Sequence, residues 1–320
     1  MVRNFAVTGV GGYVAPRHLR AIGETGHRVV AALDPHDSVG HLDEYSYDVR
    51  FFTETERFDR HLERLRRGPD AARIHYLSVC SPNHLHDAHC RMGLRVGADV
   101  VCEKPVVINP WNLDALAELE AETSRRIWSV LQLRVHPKLV ALKAALDAGA
   151  TRQGVHDVEL TYVTARGPWY DVSWKGIPER SGGIAMAIGI HFFDLLGWLF
   201  GAAVDSRVHL STARRMAGFL AFERANVRFF LSLEHKDLPE VEGSGPKGTY
   251  RSIRIDGTDV DFTDGFDELH TRVYEEILAG RGHGIEDARP AIELVHALRN
   301  AGVERGEGDR HPSFAHAPGA

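Results

Sequence analysis

The first stretch of the chain constrains its fold more than any other. Residues 4–8, Asn-Phe-Ala-Val-Thr, form a short apolar strand that runs into Gly9-Val10-Gly11-Gly12-Tyr13-Val14-Ala15. An amphipathic stretch, 16–25, follows with Leu19 and Ile22 on one face, and 29–33 is a second apolar strand ending in Asp34. A strand, glycine turn, helix and strand within about 30 residues make one βαβ element. Glycines there let main-chain amides close on a pyrophosphate, which then sits at a helix N-terminus. Gly9 and Gly11 give the G-x-G start, while Val14 stands at the third glycine position. Counting Gly9-x-x-Gly12-x-x-Ala15 restores a small residue where helix meets strand. A glycine-rich turn alone is weak evidence, since many are only loops. Asp34 strengthens it: a carboxylate there accepts from a ribose diol and repels a 2′-phosphate, and Pro35-His36 rather than an arginine follow. The expected cofactor is NAD, held by Gly9, Gly11, Gly12, Tyr13, Val14 and Asp34.

Further along, strand-like and helix-like segments alternate. Helical patterns over 58–67, 84–94 and 112–123 separate apolar strands at 74–80, 99–102 and 127–131. That rhythm predicts an α/β fold with a parallel sheet covered on both faces. Around Arg134 the rhythm changes. A helix over 137–148 leads to an alternating strand at 156–163, with later strands at 207–211, 218–223, 226–233 and 252–255. Few helices intervene, which predicts a largely antiparallel sheet. Helices over 188–200, 265–278 and 285–301 are expected to cover one of its faces. Residues 304–320, rich in Gly, Pro, His and charge, read as a disordered tail.

Bulk properties exclude several classes. The chain has 320 residues, enough for two domains. A net charge of −6 argues against a protein built to hold nucleic acid. No apolar run approaches the ~20 residues of a membrane helix. Met1-Val2-Arg3-Asn4-Phe5 runs straight into a strand without a signal peptide, so the cytoplasm is expected. Cys80, Cys90 and Cys102 are odd in number, lack metal-site spacing and read as reduced thiols. Among 19 histidines no His-Glu-x-x-His occurs, so no metal is expected. His209, His235, His283, His311 and His316 read as surface residues.

The chemistry-bearing motifs lie where strands end. Ser81-Pro82-Asn83-His84-Leu85-His86 follows the third strand and Glu103-Lys104-Pro105 the next. Open parallel sheets bind ligands along that edge. Lys104 is therefore expected in the cleft, although a Lys-Pro pair is commonly a surface turn. Gly182-Gly183 precedes Gly189-Ile190-His191-Phe192-Phe193-Asp194, whose His191 and Asp194 share one helical face. A packed core histidine is the plainer alternative there.

In this order the motifs resemble the Gfo/Idh/MocA oxidoreductases, over roughly residues 3–302. The resemblance implies a Rossmann domain at 1–131 followed by an α+β domain with an open sheet at 132–303. It implies that Lys104 contacts the reacting hydroxyl and that His191 is the acid/base. Ser81, Pro82, Asn83, His86, Glu103, Lys104 and Gln132 join the cofactor set. Residues 161–170 with Ser173-Trp174-Lys175, 132–137 and 250–253 are similar to the branch that oxidises UDP-N-acetylglucosaminuronic acid at C3. Members of that branch serve bacterial surface-polysaccharide pathways such as lipopolysaccharide synthesis, and in some 2-oxoglutarate reoxidises tightly held NADH. A diphosphate and a carboxylate need cations and stacking surfaces. Arg134, Arg166, Lys175 and Arg251 offer charge; Tyr162, Trp169, Tyr170 and Trp174 offer rings; His136 and Asp194 complete the substrate set. The plainer alternative is an aromatic loop packed on the sheet. Family members imply a homo-oligomer, a tetramer or dimer. One departure stands out. Where the wider family has Asp, and this branch Asn, four residues before the histidine, the chain has Ala187. Two other functions therefore stay open: a dehydrogenase of another nucleotide sugar, a free sugar or inositol, and a non-catalytic dinucleotide-binding regulator.

Overall fold

In the computed structural model the described residues are 2–149, 154–239, 248–262, 265–304 and 308–316. They fall into two compact units, Met1–Val135 with Asp267–Arg289, and His136–Phe266 with Pro290–Ala320. In chain order the first run of elements is β1 (Asn4–Thr8), α1 (Ala15–Glu24), β2 (Arg28–Leu33), β3 (Arg50–Phe52), α2 (Thr55–Arg67) and β4 (Tyr76–Val79). It continues with α3 (His86–Arg95), β5 (Asp99–Cys102), α4 (Trp111–Thr123) and β6 (Ile127–Ser129). Then come α5 (Pro137–Asp147), β7 (His156–Thr164), α6 (Trp169–Val172), α7 (Pro178–Ser181) and α8 (Ile190–Phe200). The remaining elements are β8 (Ala203–Ser211), β9 (Arg215–Phe222), β10 (Ala225–Ser232), β11 (Thr249–Ile255), β12 (Thr258–Asp259), α9 (Leu269–Leu278) and α10 (Ile285–Asn300).

The first unit is built on a six-stranded sheet in the order β3-β2-β1-β4-β5-β6, every pair parallel. Its order reverses between β1 and β4, which opens a ligand crevice at the strand C-termini. β1 is buried throughout because it lies mid-sheet under helices on both faces. Phe5 and Val7 pack with Leu19 and Ile22 of α1. Each such side chain contributes about 1.5–3 kcal/mol on burial. One strand was not read from the sequence, and one expectation is corrected. β3 is a three-residue, partly exposed edge strand, too short to show a period. α9 belongs to the first unit rather than the second and packs on α1, with Val273, Tyr274 and Ile277 entering the first core. Its apolar spacing shows a buried face but not whose core receives it.

The second unit carries a sheet in the order β12-β11-β7-β10-β9-β8. β7 and β10 run parallel and the other neighbours antiparallel. α8 is apolar nearly all round and covers one face, with Phe193 edge-on to Phe229 of β10 at 5.3 Å between ring centres. The helical stretch Pro178–Phe200 has the length and hydropathy of a membrane span, contrary to the sequence expectation, and 72% of that window is buried inside the protein. Successive residues of β10 point to opposite faces. Phe230 thus faces away from α8, where the end of the chain covers it. His311 stacks on Phe230 at 5.9 Å and approaches Thr161 Oγ1 at 3.0 Å, and Phe314 packs on Val163, Ala217 and Phe230. The expected disorder of 304–320 is therefore corrected over 308–316; 305–307 and 317–320 lie outside the described residues. His311 and His209 are buried rather than exposed. The tail composition around His311 gave no sign of the apolar sheet face that it covers.

Candidate active site

In the first unit the glycine turn has the form a dinucleotide needs. Gly9 sits at φ +72°, and a Cβ there would lie 2.5 Å from the Ser81 amide nitrogen and 2.6 Å from the Cys80 carbonyl. Only glycine fits this contact between the β1 turn and the end of β4. Gly12 donates its N–H to the Gly9 carbonyl at 3.0 Å and closes the turn into α1. Asp34, buried at the end of β2, accepts the Gly11 N–H at 2.9 Å through Oδ2 and the His36 N–H at 2.9 Å through Oδ1. That fixes the carboxylate beside the turn, where an adenosine ribose belongs. Tyr13 is exposed with Arg17 over its ring, and Val14 caps α1. These residues fit NAD: the cradle has no room for a Cβ, and the fixed acid disfavours a 2′-phosphate.

The two motifs after β4 and β5 are tied together by buried histidines. His86 spans them, with Nδ1 2.6 Å from the Pro105 carbonyl and Nε2 2.7 Å from the Ser81 carbonyl. Burial pushes its pKa down against those two carbonyls, which push it up. His86 therefore clamps two loops, both ring nitrogens engaged by main-chain carbonyls. Ser81 Oγ is likewise engaged, 2.9 Å from His89 Nδ1. Pro82 and Asn83 open a short turn into α3, and Gln132 is half-buried after β6. Lys104 is half-buried at the end of β5. Glu103 is inward, its carboxylate shared between His18 Nε2 at 2.9 Å and His270 Nε2 at 3.1 Å. Burial raises the acid's pKa, and the two histidine hydrogen bonds outweigh it, leaving Glu103 well below the usual range. Sequence reasoning missed His18 and His270. The available signal was that His18 lies one turn beyond Ala15, on the helix the glycine turn opens.

Arg134, expected at the substrate, also lies in this unit. Its guanidinium donates to the Asp287 carbonyl at 3.0 Å and lies 3.6 Å from the Asp287 carboxylate.

In the second unit, the loop after β7 brings the expected cations and rings together. Lys175 Nζ lies 5.8 Å and 5.7 Å from the Trp169 and Trp174 ring centres. Burial, and then the nearby Arg166 charge, lower the Lys175 pKa. Tyr170 is buried and anchors α6, while Trp169 is 53% exposed. Arg214, which sequence reasoning did not single out, holds this loop. It donates to both Asp171 oxygens at 2.7 and 2.9 Å, to Glu234 at 2.8 Å, and to the Arg166 and Leu233 carbonyls. On β11, Arg251 lies 4.5 Å over Phe266 and 5.9 Å from Tyr162, and Tyr162 contacts Phe192. His136 is buried against Phe262 and Phe266. His191 is half-buried in the first turn of α8, and Asp194 is buried one turn later. The segment before them, Ala185–Gly189, is a π-helical turn. Ala187 thus lies in that wider winding, ahead of the regular helix that begins at Ile190.

Residues 3–130 match the NAD-binding Rossmann fold of the Gfo/Idh/MocA oxidoreductase family, and 154–259 match that family's C-terminal alpha/beta domain. The chain belongs to the Gfo/Idh/MocA oxidoreductase family. Among solved members, the WlbA (WbpB) dehydrogenase from Thermus thermophilus in complex with NAD and alpha-ketoglutarate is 49% identical. The match covers 97% of this chain and 99% of that one, with a TM-score of 0.92. A complex of the same Thermus thermophilus dehydrogenase with NAD and UDP-GlcNAcA is 48% identical over the same shares, with a TM-score of 0.91. Inositol 2-dehydrogenase of Rhizobium meliloti (strain 1021) is 28% identical over 131 residues, 41% of this chain and 38% of that protein. The chain thus spans less than half of this curated relative. As a Gfo/Idh/MocA member the chain is an NAD-dependent oxidoreductase, its first unit the NAD-binding domain.

Proposed function

We propose that this family member oxidises the C3 hydroxyl of UDP-N-acetylglucosaminuronic acid (UDP-GlcNAcA) to a ketone. The observation that carries the reading is the near full-length match, at 48% identity, to a dehydrogenase solved with NAD and UDP-GlcNAcA. The second unit supports it: Lys175 between two indoles, beside Arg166, suits a diphosphate and a nucleobase better than a small polyol. Bound NAD supplies the hydride acceptor. His191 takes the hydroxyl proton, a task suited to an imidazole whose unperturbed pKa is about 6.5. Lys104 donates to the oxygen and steadies the alkoxide as it forms. Gly9, Gly11, Gly12 and Asp34 hold the dinucleotide. Arg166, Lys175 and Arg251 take the substrate's charges, and Trp169 and Trp174 its ring faces.

Because another member is solved with alpha-ketoglutarate, 2-oxoglutarate is the proposed oxidant that regenerates NAD. The enzyme is proposed to act in the cytoplasm on a polysaccharide precursor, as a homo-oligomer, a tetramer or dimer. Ala187 removes a polar side chain the branch has near its histidine, so orientation of the sugar falls to the loop after β7. NADH formation across a panel of UDP-sugars, free sugars and inositol tests the reading. UDP-GlcNAcA is expected to give the highest kcat/KM. Turnover of inositol with none of UDP-GlcNAcA overturns it, and NAD binding without turnover of any sugar favours the regulator.

A further inference from the structure

Directly before Lys104, Glu103 draws on two helices of the first unit that are distant in sequence. His18 of α1 and His270 of α9 meet the same oxygen, Oε1, at 2.9 and 3.1 Å. The Lys104 N–H donates to the other oxygen, Oε2, at 3.2 Å. On the far side of His18, Nδ1 is 2.8 Å from the Tyr274 hydroxyl, which is 2.7 Å from Ser78 Oγ on β4. All five side chains are almost completely buried.

A proton arrangement with both imidazoles neutral satisfies every contact, assigned from the bonding pattern. Both Nε2 atoms carry protons and donate to the carboxylate. Tyr274 donates to His18 Nδ1 and Ser78 donates to Tyr274. His18 is then neutral and Glu103 charged, in line with burial lowering the first pKa and the histidine bonds lowering the second. In that arrangement the carboxylate's charge is met by hydrogen bonds alone.

The three ligating atoms also lie within 4.8 Å of one another, a spacing a metal ion could use. The contacts favour hydrogen bonds. A metal on His270 Nε2 would leave its proton on Nδ1, which has no partner among the described residues, whereas metal-bound histidines nearly always donate that proton.

A charged acid in the core is costly, and apolar packing would join the same elements more stably. What the acid adds is direction: it fixes the main chain at Lys104 through its own amide. On the other side of the lysine, His86 holds the Pro105 carbonyl. We propose that His18, His270 and Tyr274, acting through Glu103, are positioning residues that aim Lys104 at the substrate. This rests on the reading of Lys104 as a catalytic residue.

Single-turnover NADH formation with UDP-GlcNAcA, NAD affinity and thermal melting test it in Glu103→Gln, His18→Asn, Tyr274→Phe and Lys104→Met enzymes. Glu103→Gln and His18→Asn are expected to slow hydride transfer about 10- to 100-fold, as loss of aim does, with NAD affinity within about threefold of wild type. Tyr274→Phe keeps the shape, removes only the hydroxyl and gives a smaller loss, so it serves if His18→Asn does not fold. Added to Lys104→Met, Glu103→Gln is expected to change the rate little, because it acts through the missing amine. A lower melting temperature with unchanged rate per folded enzyme overturns the inference, as does a Glu103→Gln loss that multiplies with that of Lys104→Met. If Lys104→Met itself turns over normally, the catalytic reading of Lys104 falls and takes the inference with it. If only Lys104→Met is slow, the inference falls alone.

Discussion

The two units organise chemistry in different ways. In the first, Gly9, Glu103, His18, His86 and His270 are buried in contacts that leave little freedom: a glycine with no room for a Cβ, His18 and His86 engaged at both ring nitrogens, and His270 at one. In the second, the loop carrying Trp169, Trp174 and Lys175 is partly exposed and held by ion pairs from Arg214. Buried, fully bonded networks fix geometry, while ion-paired loops tolerate exchange. The contrast suits an enzyme that holds a dinucleotide rigidly and meets its substrate on a more adaptable loop.

The sharpest break should come at the turn. Gly9→Ala forces a Cβ onto the Ser81 amide at a positive φ, with a cost of about 1–3 kcal/mol if the turn deforms. NAD titration and melting curves should show weakened cofactor binding and a lower melting temperature; normal NAD affinity would mean that the turn is not the phosphate site. Next, Arg214→Ala should free the loop after β7. The expected result is a KM for UDP-GlcNAcA raised about tenfold, from losing charge-assisted hydrogen bonds that hold the loop, with NAD affinity unchanged. A fall in kcat alone would place Arg214 elsewhere in the chemistry.

Acid stability probes both units at once. Burial, and for His89 the neighbouring His86, lowers its pKa from 6.5 to about 4; burial and then Arg228 lower that of His311 to about 4. Between pH 6.5 and about 4 the unfolded chain binds these protons and the folded chain does not, so stability is lost as pH falls through that window. Each pKa unit is worth about 1.4 kcal/mol. Replacing His311 with Asn should flatten this acid slope by up to one proton, read from melting temperature against pH. An unchanged slope would mean the tail is not docked in solution. The smallest effect is expected at Ala187→Asn, a modest rise in kcat; no gain would show that orientation does not depend on that position.

The sequence was most readable where its signals are local. Strand, glycine turn, helix and Asp34 follow one another directly, and Lys104 follows its own strand, so the cofactor half and its motif could be placed in order. Partners set by tertiary packing were not readable. His18 looked like one polar residue on an amphipathic helix, and its partners Glu103 and His270 come from a strand end and a helix far along the chain. α9 showed an apolar face but not that α1 would receive it. Residues 308–316 had the composition of a free tail, yet Phe314 and His311 answer an apolar face that exists only once β7, β9 and β10 are paired. Arg214 was passed over because charged residues at strand ends are common, and only the folded loop shows its five acceptors.

Deuterium transfer tests the central claim most directly. UDP-GlcNAcA labelled with deuterium at C3 is incubated with the NAD-loaded enzyme, and the reduced cofactor and sugar product are read by mass spectrometry and NMR. The account predicts label in the NADH, a carbonyl at C3 and a slowed single turnover. Unlabelled NADH, or a carbonyl at any other carbon, would contradict it.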